Sequence, residues 1–345
     1  MLTSLLNIEL PLIQAPMAGV QGSALAVAVS NAGGLGSLPC AMLDADTMRR
    51  ELAAIRAQTG RPFNVNFFCH ATPAFDAARD ARWRESLAPY YAELGLDAGG
   101  VPAGPGRATF NAGMVDVLRE FEPPVVSFHF GLPAEKLLAP LRAWGAKILS
   151  TATSVSEARW LEARGADAII AQGLEAGGHR GMFLSDDLAT QTGLFALLPQ
   201  MVDAVRVPVI AAGGIADVRG VRAAQALGAA GVQVGTAYLL CPEATTSPLH
   251  RTALLDPQRR DTVLTNLFTG RPARGLVNRF IAECGPISAL APAFPLATAA
   301  VAPLRAKAES LGRDDFSPLW SGQNPAGCRR VPAAELTREL GGAQG

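Results

Sequence analysis

Short apolar runs recur along the chain, with amphipathic stretches between them. They read PLIQAPM at 11–17, LGSLPC at 35–40, FNVNFF at 63–68, VVSFHFG at 125–131, KILSTA at 147–152, AIIAQG at 168–173, VPVIAAGG at 207–214 and GVQVGT at 231–236. Most lack polar alternation, which is the pattern of strands buried on both faces of a parallel sheet. Helix signals separate them. In TSVSEARWLEARGA, Ser154 with Glu157 three residues on makes a capping box, and Gly165 closes the helix. In DVRGVRAAQALGAAG, Asp217 is the N-cap and the helix stops near Gly228. Eight such strands alternating with helices over about 240 residues predict a (β/α)8 TIM barrel, a fold of roughly 250 residues. The rival, a doubly wound open sheet, requires G-x-G-x-x-G after the first strand, and APMAGVQGS lacks that spacing.

Two segments break the repeat. Residues 70–112 are rich in Pro, Gly and charge and read as a long excursion after the third strand. Residues 241–325 contain many prolines and no convincing strand, which predicts a helical insertion after the eighth strand, placed to cover the barrel mouth. PAAELTREL near the end is an amphipathic helix that returns to the barrel. The expected organisation is therefore a barrel from residues 1–240 and about 326–345, with a substrate or lid domain at 241–325.

Composition narrows the classes. The 345 residues are 49% hydrophobic, enough for a large core. Thirty basic and thirty acidic residues cancel, which argues against a nucleic-acid or polybasic membrane surface. No apolar stretch approaches a membrane span, and MLTSLLNIELPLIQ lacks the basic start of a signal peptide. The five cysteines are scattered and never form C-x-x-C, so neither a disulfide framework nor a zinc site is expected. A cytoplasmic location follows from these features as an expectation.

A barrel of this kind carries its active site at the C-terminal ends of its strands. That rule nominates Ala15 to Ala18, Asn66, His129, Gln172 with the AGGHRG loop, Gly213–Gly214 and Gly235–Thr236. The last two glycine turns follow the seventh and eighth strands, where such barrels hold phosphate on backbone N–H groups. Asn66 and Gln172 present donor and acceptor together, which suits the edge of a flavin, though each also fits a satisfied core amide. One phosphate site plus amides points to flavin mononucleotide (FMN). His179, between Gly178 and Arg180, is placed to take or give a proton, with glycines clearing room beside it. Arg180 is expected either to favour an anion or to pair with Glu175. His129 is a second candidate, for substrate contact or for the core; His70 and His250 receive no role.

Several stretches together resemble one family. QAPMAGV at 14–20, SNAGGLGSL at 30–38, PFNVNFF at 62–68, QGLEAGGHRGMF at 172–183, GGIAD…LGAAGVQVGT at 213–236, NLFTGRPARGLVNRF at 266–280 and PLWSGQ at 318–323 are similar to the nitronate monooxygenases, the last two to their class I. The resemblance implies a flavin barrel that uses molecular oxygen to oxidise small anionic alkyl nitronates, such as propionate 3-nitronate, to carbonyl compounds with nitrite or nitrate. Carried over by motif, the catalytic histidine falls on His179. Flavin contacts fall on Asn66, Gln172, Gly177, Gly214, Gln233, Val234, Gly235 and Thr236. Arg180 and the lid residues Arg271, Arg274 and Arg279 are expected to lend the pocket positive character. The alternative is a related barrel that takes hydride from NADH to reduce a quinone or an enoyl-acyl carrier.

Overall fold

Strands occur in chain order as β1 (Leu12–Gln14), β2 (Gly36–Pro39), β3 (Phe63–Phe68), β4 (Val125–His129), β5 (Lys147–Ala152), β6 (Ala168–Gln172), β7 (Gly178–His179), β8 (Val209–Ala212), β9 (Gly231–Val234), β10 (Thr262–Thr265) and β11 (Ala273–Leu276). This computed structural model describes residues 1–97 and 108–342. Residues 98–107, inside the excursion expected at 70–112, and residues 343–345, at the end of the expected second barrel segment, lie outside the described residues.

Eight strands form one parallel sheet in the order β1-β9-β8-β6-β5-β4-β3-β2. A parallel bridge from Ile13 to Leu35 brings the two edges together, with Leu35 N donating to Leu12 O and Gln14 N to Leu35 O, each at 2.9 Å. The fold is thus the TIM barrel that the apolar runs predict. Every residue of β3 and of β6 is buried, which accounts for their lack of polar alternation. Ile13, Leu35, Val125, Leu149, Ile170 and Ile210 cluster with Leu2 and Leu6 of the helix Leu2–Leu6, which plugs the lower end of the barrel. The predicted caps are present. Ser154 Oγ accepts from Glu157 N at 3.3 Å, and Asp217 Oδ1 accepts from Arg219 N at 2.9 Å. Gly165 and Gly228 close their helices at φ of 76° and 94°, the left-handed region that glycine adopts at least cost.

The segment 241–325 corrects the expectation of an insertion without strands. Helices Pro248–Leu255, Arg279–Cys284 and Thr298–Ser310 are joined there by β10 and β11. These two strands pair antiparallel, and β11 pairs in turn with β7, placing Ala273 opposite His179 and Arg274 opposite Gly178. The apolar pattern hides them because β11 reads ARGL, with a charge and a glycine in four residues. Arg274 is nonetheless buried, since its guanidinium donates to Leu174 O at 2.9 Å and Thr262 O at 3.0 Å. The excursion contributes as well. Helix Ala77–Glu93 packs Trp83, Leu87 and Tyr91 against Phe268, Phe280 and Leu304 of the insertion. The helix Ala333–Leu340 returns to the barrel as expected, burying Leu336 and Leu340 with Leu25 and Val29.

Candidate active site

All eight barrel strands deliver a residue, at or just beyond their C-terminal ends, to one cavity. Ala15, Pro39, Asn66, His129, Thr151, Gln172, Gly213 and Gly235 represent them in turn. The insertion adds His250, Trp320 and Gly322. The sequence candidates Asn66, His129, Gln172, Gly177, His179, Gly214, Gln233, Gly235 and Thr236 all line this cavity. Val234 does not. Strand side chains alternate, so with Gln233 turned inward Val234 points outward, 1% exposed, into the core shared with Leu12 and Val232.

His179 is held from three sides. Its carbonyl accepts from Gln172 Nε2 at 3.0 Å and from His129 Nε2 at 3.1 Å. Gln172 Oε1 accepts from Gly181 N at 2.8 Å, so one amide clamps both flanks of the loop. His179 Nε2 lies 2.9 Å from Thr269 Oγ1, whose hydroxyl donates to Arg271 O at 3.3 Å. With that hydroxyl hydrogen on Arg271, Nε2 is the protonated ring nitrogen and Nδ1 keeps the lone pair. Phe294 and Trp320 wall the imidazole, with ring centroids at 5.2 and 5.6 Å.

His129 is therefore a scaffold for His179 as well as a lining residue. A carbonyl only accepts, so His129 Nε2 carries the proton, and Nδ1 accepts from the Thr151 hydroxyl at 3.1 Å. Burial, aided by the Arg271 and Arg180 charges, pushes its pKa down to about 3 against the pull of the His179 carbonyl. His250, buried in the cavity wall, is pushed down to about 4, again first by burial. Both rings stay neutral in the fold, whereas the unfolded chain takes up a proton at about pH 6.5. Stability is then complete above pH 6.5 and falls as pH drops toward 4, by about 1.4 kcal/mol per pH unit for each ring. Urea midpoints at pH 7, 6 and 5 should decline accordingly, with a shallower decline in His250→Gln; parallel slopes in both proteins would contradict the assignment.

A flavin fits what the cavity offers. Gln233 Oε1 is buried with no hydrogen-bond partner among the described residues, and it faces a space lined by glycine backbone. Gly213 and Gly214 turn at φ of 126° and 70° after β8, a backbone that side-chain-bearing residues rarely adopt. Asn66 Nδ2 donates to Ser127 Oγ at 2.9 Å, which fixes its amide in the wall. Thr236 Oγ1 accepts from Gly322 N at 2.9 Å and ties the β9 turn to the segment crossing over it. Gly177 is required by that same crossing: a Cβ there would sit 2.5 Å from Gly322 N.

The expected positive lining is corrected by the structure. Arg180 is 0% exposed and turned away from the cavity, donating to Gly173 O at 2.7 Å, Gln172 O at 2.8 Å and Gln191 Oε1 at 2.9 Å. Its anticipated partner Glu175 instead accepts from Leu194 N at 2.9 Å, at the start of the helix Leu194–Ala204. Arg274 binds backbone as described, and Arg279 pairs at the surface with Glu93 and Glu283 at 2.7 Å each. Arg271 lies behind Phe130, its guanidinium 4.2 Å from that ring. Arg180, Arg271 and Arg274 hold main-chain carbonyls and Arg279 holds carboxylates, uses that charge counting does not distinguish from anion binding. Sequence reasoning missed Thr269, His250 and Trp320. Thr269 and Trp320 carried one signal, their place inside NLFTGRPARG and PLWSGQ; His250 carried none.

A closed parallel barrel with a histidine loop, glycine turns and a polar cavity at its carboxyl end defines a TIM-barrel enzyme. Comparison with known proteins gives the family. A family model described as nitronate monooxygenase matches residues 1–341. The nitronate monooxygenase of Pseudomonas aeruginosa is 43% identical, over 98% of this chain and 97% of that protein. That of Paraburkholderia phytofirmans is also 43% identical, over 98% and 93%. Among solved structures, nitroalkane oxidase from Streptomyces ansochromogenes superposes with a TM-score of 0.90 at 42% identity, covering 99% of this chain and 97% of its own. FabK from Thermotoga maritima follows at a TM-score of 0.72 and 29% identity, covering 98% and 94%. The chain belongs to the nitronate monooxygenase family, a family of flavin-dependent oxidoreductases.

Proposed function

We propose that this enzyme binds FMN at the barrel mouth and oxidises small alkyl nitronates with molecular oxygen, releasing a carbonyl compound with nitrite or nitrate. The reading is carried by the convergence in one cavity of His179, the two glycine turns and the Gln233 amide oxygen, which has no partner among the described residues. The turns at Gly213–Gly214 and Gly235–Thr236 would hold the phosphate; Asn66, Gln172 and Gln233 would face the ring system, with the Val234 contribution limited to its backbone. Bound FMN supplies single-electron exchange between nitronate and oxygen. The chain's own part is to seat the substrate beside His179 and to keep water out with Phe294 and Trp320. His179 takes the α-proton from a neutral nitroalkane; a nitronate arrives without one to lose. We assign residues 241–325 as the substrate lid over a barrel formed by the rest of the chain, in a cytoplasmic enzyme.

The purified protein should be yellow, and heat should release a flavin that migrates as FMN. Anaerobic addition of propionate 3-nitronate should alter the flavin spectrum, with turnover on admitting oxygen, while NADH bleaches it slowly or not at all. Released FAD or a colourless protein would overturn the cofactor assignment. Rapid bleaching by NADH with the nitronate inert would move the chain to the NADH-dependent reductases, a reading favoured by its likeness to FabK.

A further inference from the structure

Behind the aromatic wall of the active site lies a second cavity that shares no lining residue with the first. Phe130 and Phe294 separate the two. Both line the second cavity, while their ring centroids stand 6.2 and 5.2 Å from the His179 ring. Two arginines line the second cavity, Arg79 from the start of helix Ala77–Glu93 and Arg271 from the turn before β11. Neither forms an ion pair among the described residues, and the Nε of each is buried without a hydrogen-bond partner there. Arg271 is anchored by donating to Met182 O and by lying 4.2 Å from the Phe130 ring. Trp160 and Phe183 supply apolar walls. Asp186 also lines the cavity, and its charge and that of Glu157 act on Arg271 without forming a contact ion pair among the described residues. Holding a half-buried charge with no counterion in contact is costly, and a fixed guanidinium with donors to spare is a fork shaped for a planar two-oxygen anion.

We infer that this second cavity is a capture site for planar oxyanions carrying a short apolar body, carboxylates and nitronates being the two forms of that chemistry. A nitronate, like a carboxylate, spreads one negative charge over two coplanar oxygens, so either suits the fork of Arg271 with Arg79 beside it. The aromatic walls take the carbon body. For a nitronate the site is an antechamber: the anion is held one ring-width from His179 and passes inward when Phe130 or Phe294 turns. This role rests on the proposed nitronate chemistry for its passenger, while the capture of an anion does not. It also answers how an anionic substrate is drawn to an active-site cavity that Arg180, Arg274 and Arg279 do not line.

The test is calorimetric titration of benzoate, an aryl carboxylate that does not turn over, into the full-length holoprotein. Saturable one-to-one binding is expected, weakened at least tenfold in Arg271→Gln and several-fold in Arg79→Gln. Arg79 sits at a partly exposed helix start, so its variant reports on the site even where Arg271→Gln folds poorly. Quenching of tryptophan fluorescence by benzoate should be lost in Trp160→Phe, which locates the ligand. With propionate 3-nitronate as substrate, Arg79→Gln should raise KM several-fold with kcat unchanged. Absence of saturable binding, or binding that both arginine variants leave unaltered, would overturn the capture site. If the nitronate chemistry alone is wrong, turnover fails but benzoate binding and its loss in the variants remain.

Discussion

Replacing His179 with Asn should lower turnover of neutral nitroalkanes by about 10²–10⁴-fold, the usual worth of a general base, while leaving turnover of preformed nitronates within a few-fold. The selectivity arises because only the neutral substrate has a proton to give up. Asn is the informative replacement. The carbonyl of residue 179 is what Gln172 and His129 hold, at 3.0 and 3.1 Å, and the substitution leaves that carbonyl in place. The glycine turns after β8 and β9 are untouched, so flavin should stay bound at wild-type stoichiometry. Oxygen uptake with nitroethane and with its pre-ionised nitronate, measured side by side, decides the matter. Equal losses on the two substrates would assign His179 to binding or electrostatics instead.

The second large effect is on stability and comes from Arg180. Arg180→Met should destabilise the fold by about 1–3 kcal/mol, because it takes the guanidinium donor from the buried Gln172 carbonyl. Its guanidinium serves the carbonyls of Gln172 and Gly173 at the end of β6, the second of which it shares with Ala176 N at 3.1 Å. Lys should not rescue the loss, since one ammonium cannot reach both carbonyls and Gln191 Oε1 in the planar geometry that the fork provides. Urea denaturation with an unchanged slope would register this as a lower midpoint. A Met variant as stable as the parent would show that the strand end finds other donors, and would undo the account of why this arginine is buried.

The barrel was legible because its strands are buried on both faces. Runs such as FNVNFF and AIIAQG carry that burial in their composition, and the caps at Ser154 and Asp217 use local rules of three residues. The positions of His179, Asn66 and Gln172 followed from one general fact, that chemistry sits beyond the strand ends. What stayed hidden depends on partners far away in sequence. Thr269 meets His179 across ninety residues, and Gly177 is a glycine because Gly322 passes over it. Arg180, Arg274 and Arg279 looked like a positive lining because a sequence shows charge but not aim. β10 and β11 were hidden for the same reason: Arg274 is tolerated in a buried strand only through Leu174 and Thr262.

The pairing of β7 with β11 has a bearing on how such a protein can diversify. Because His179 is itself a rung of the ladder that Ala273 completes, the covering segment and the residue proposed to handle the proton form one mechanical part. Grafting residues 262–276 from a relative to obtain a new pocket shape would therefore re-aim the imidazole as well, through Thr269 and the strand register. Specificity is more safely tuned from the other side of the cavity, at Met42 or Leu239, where no backbone bond ties the change to position 179.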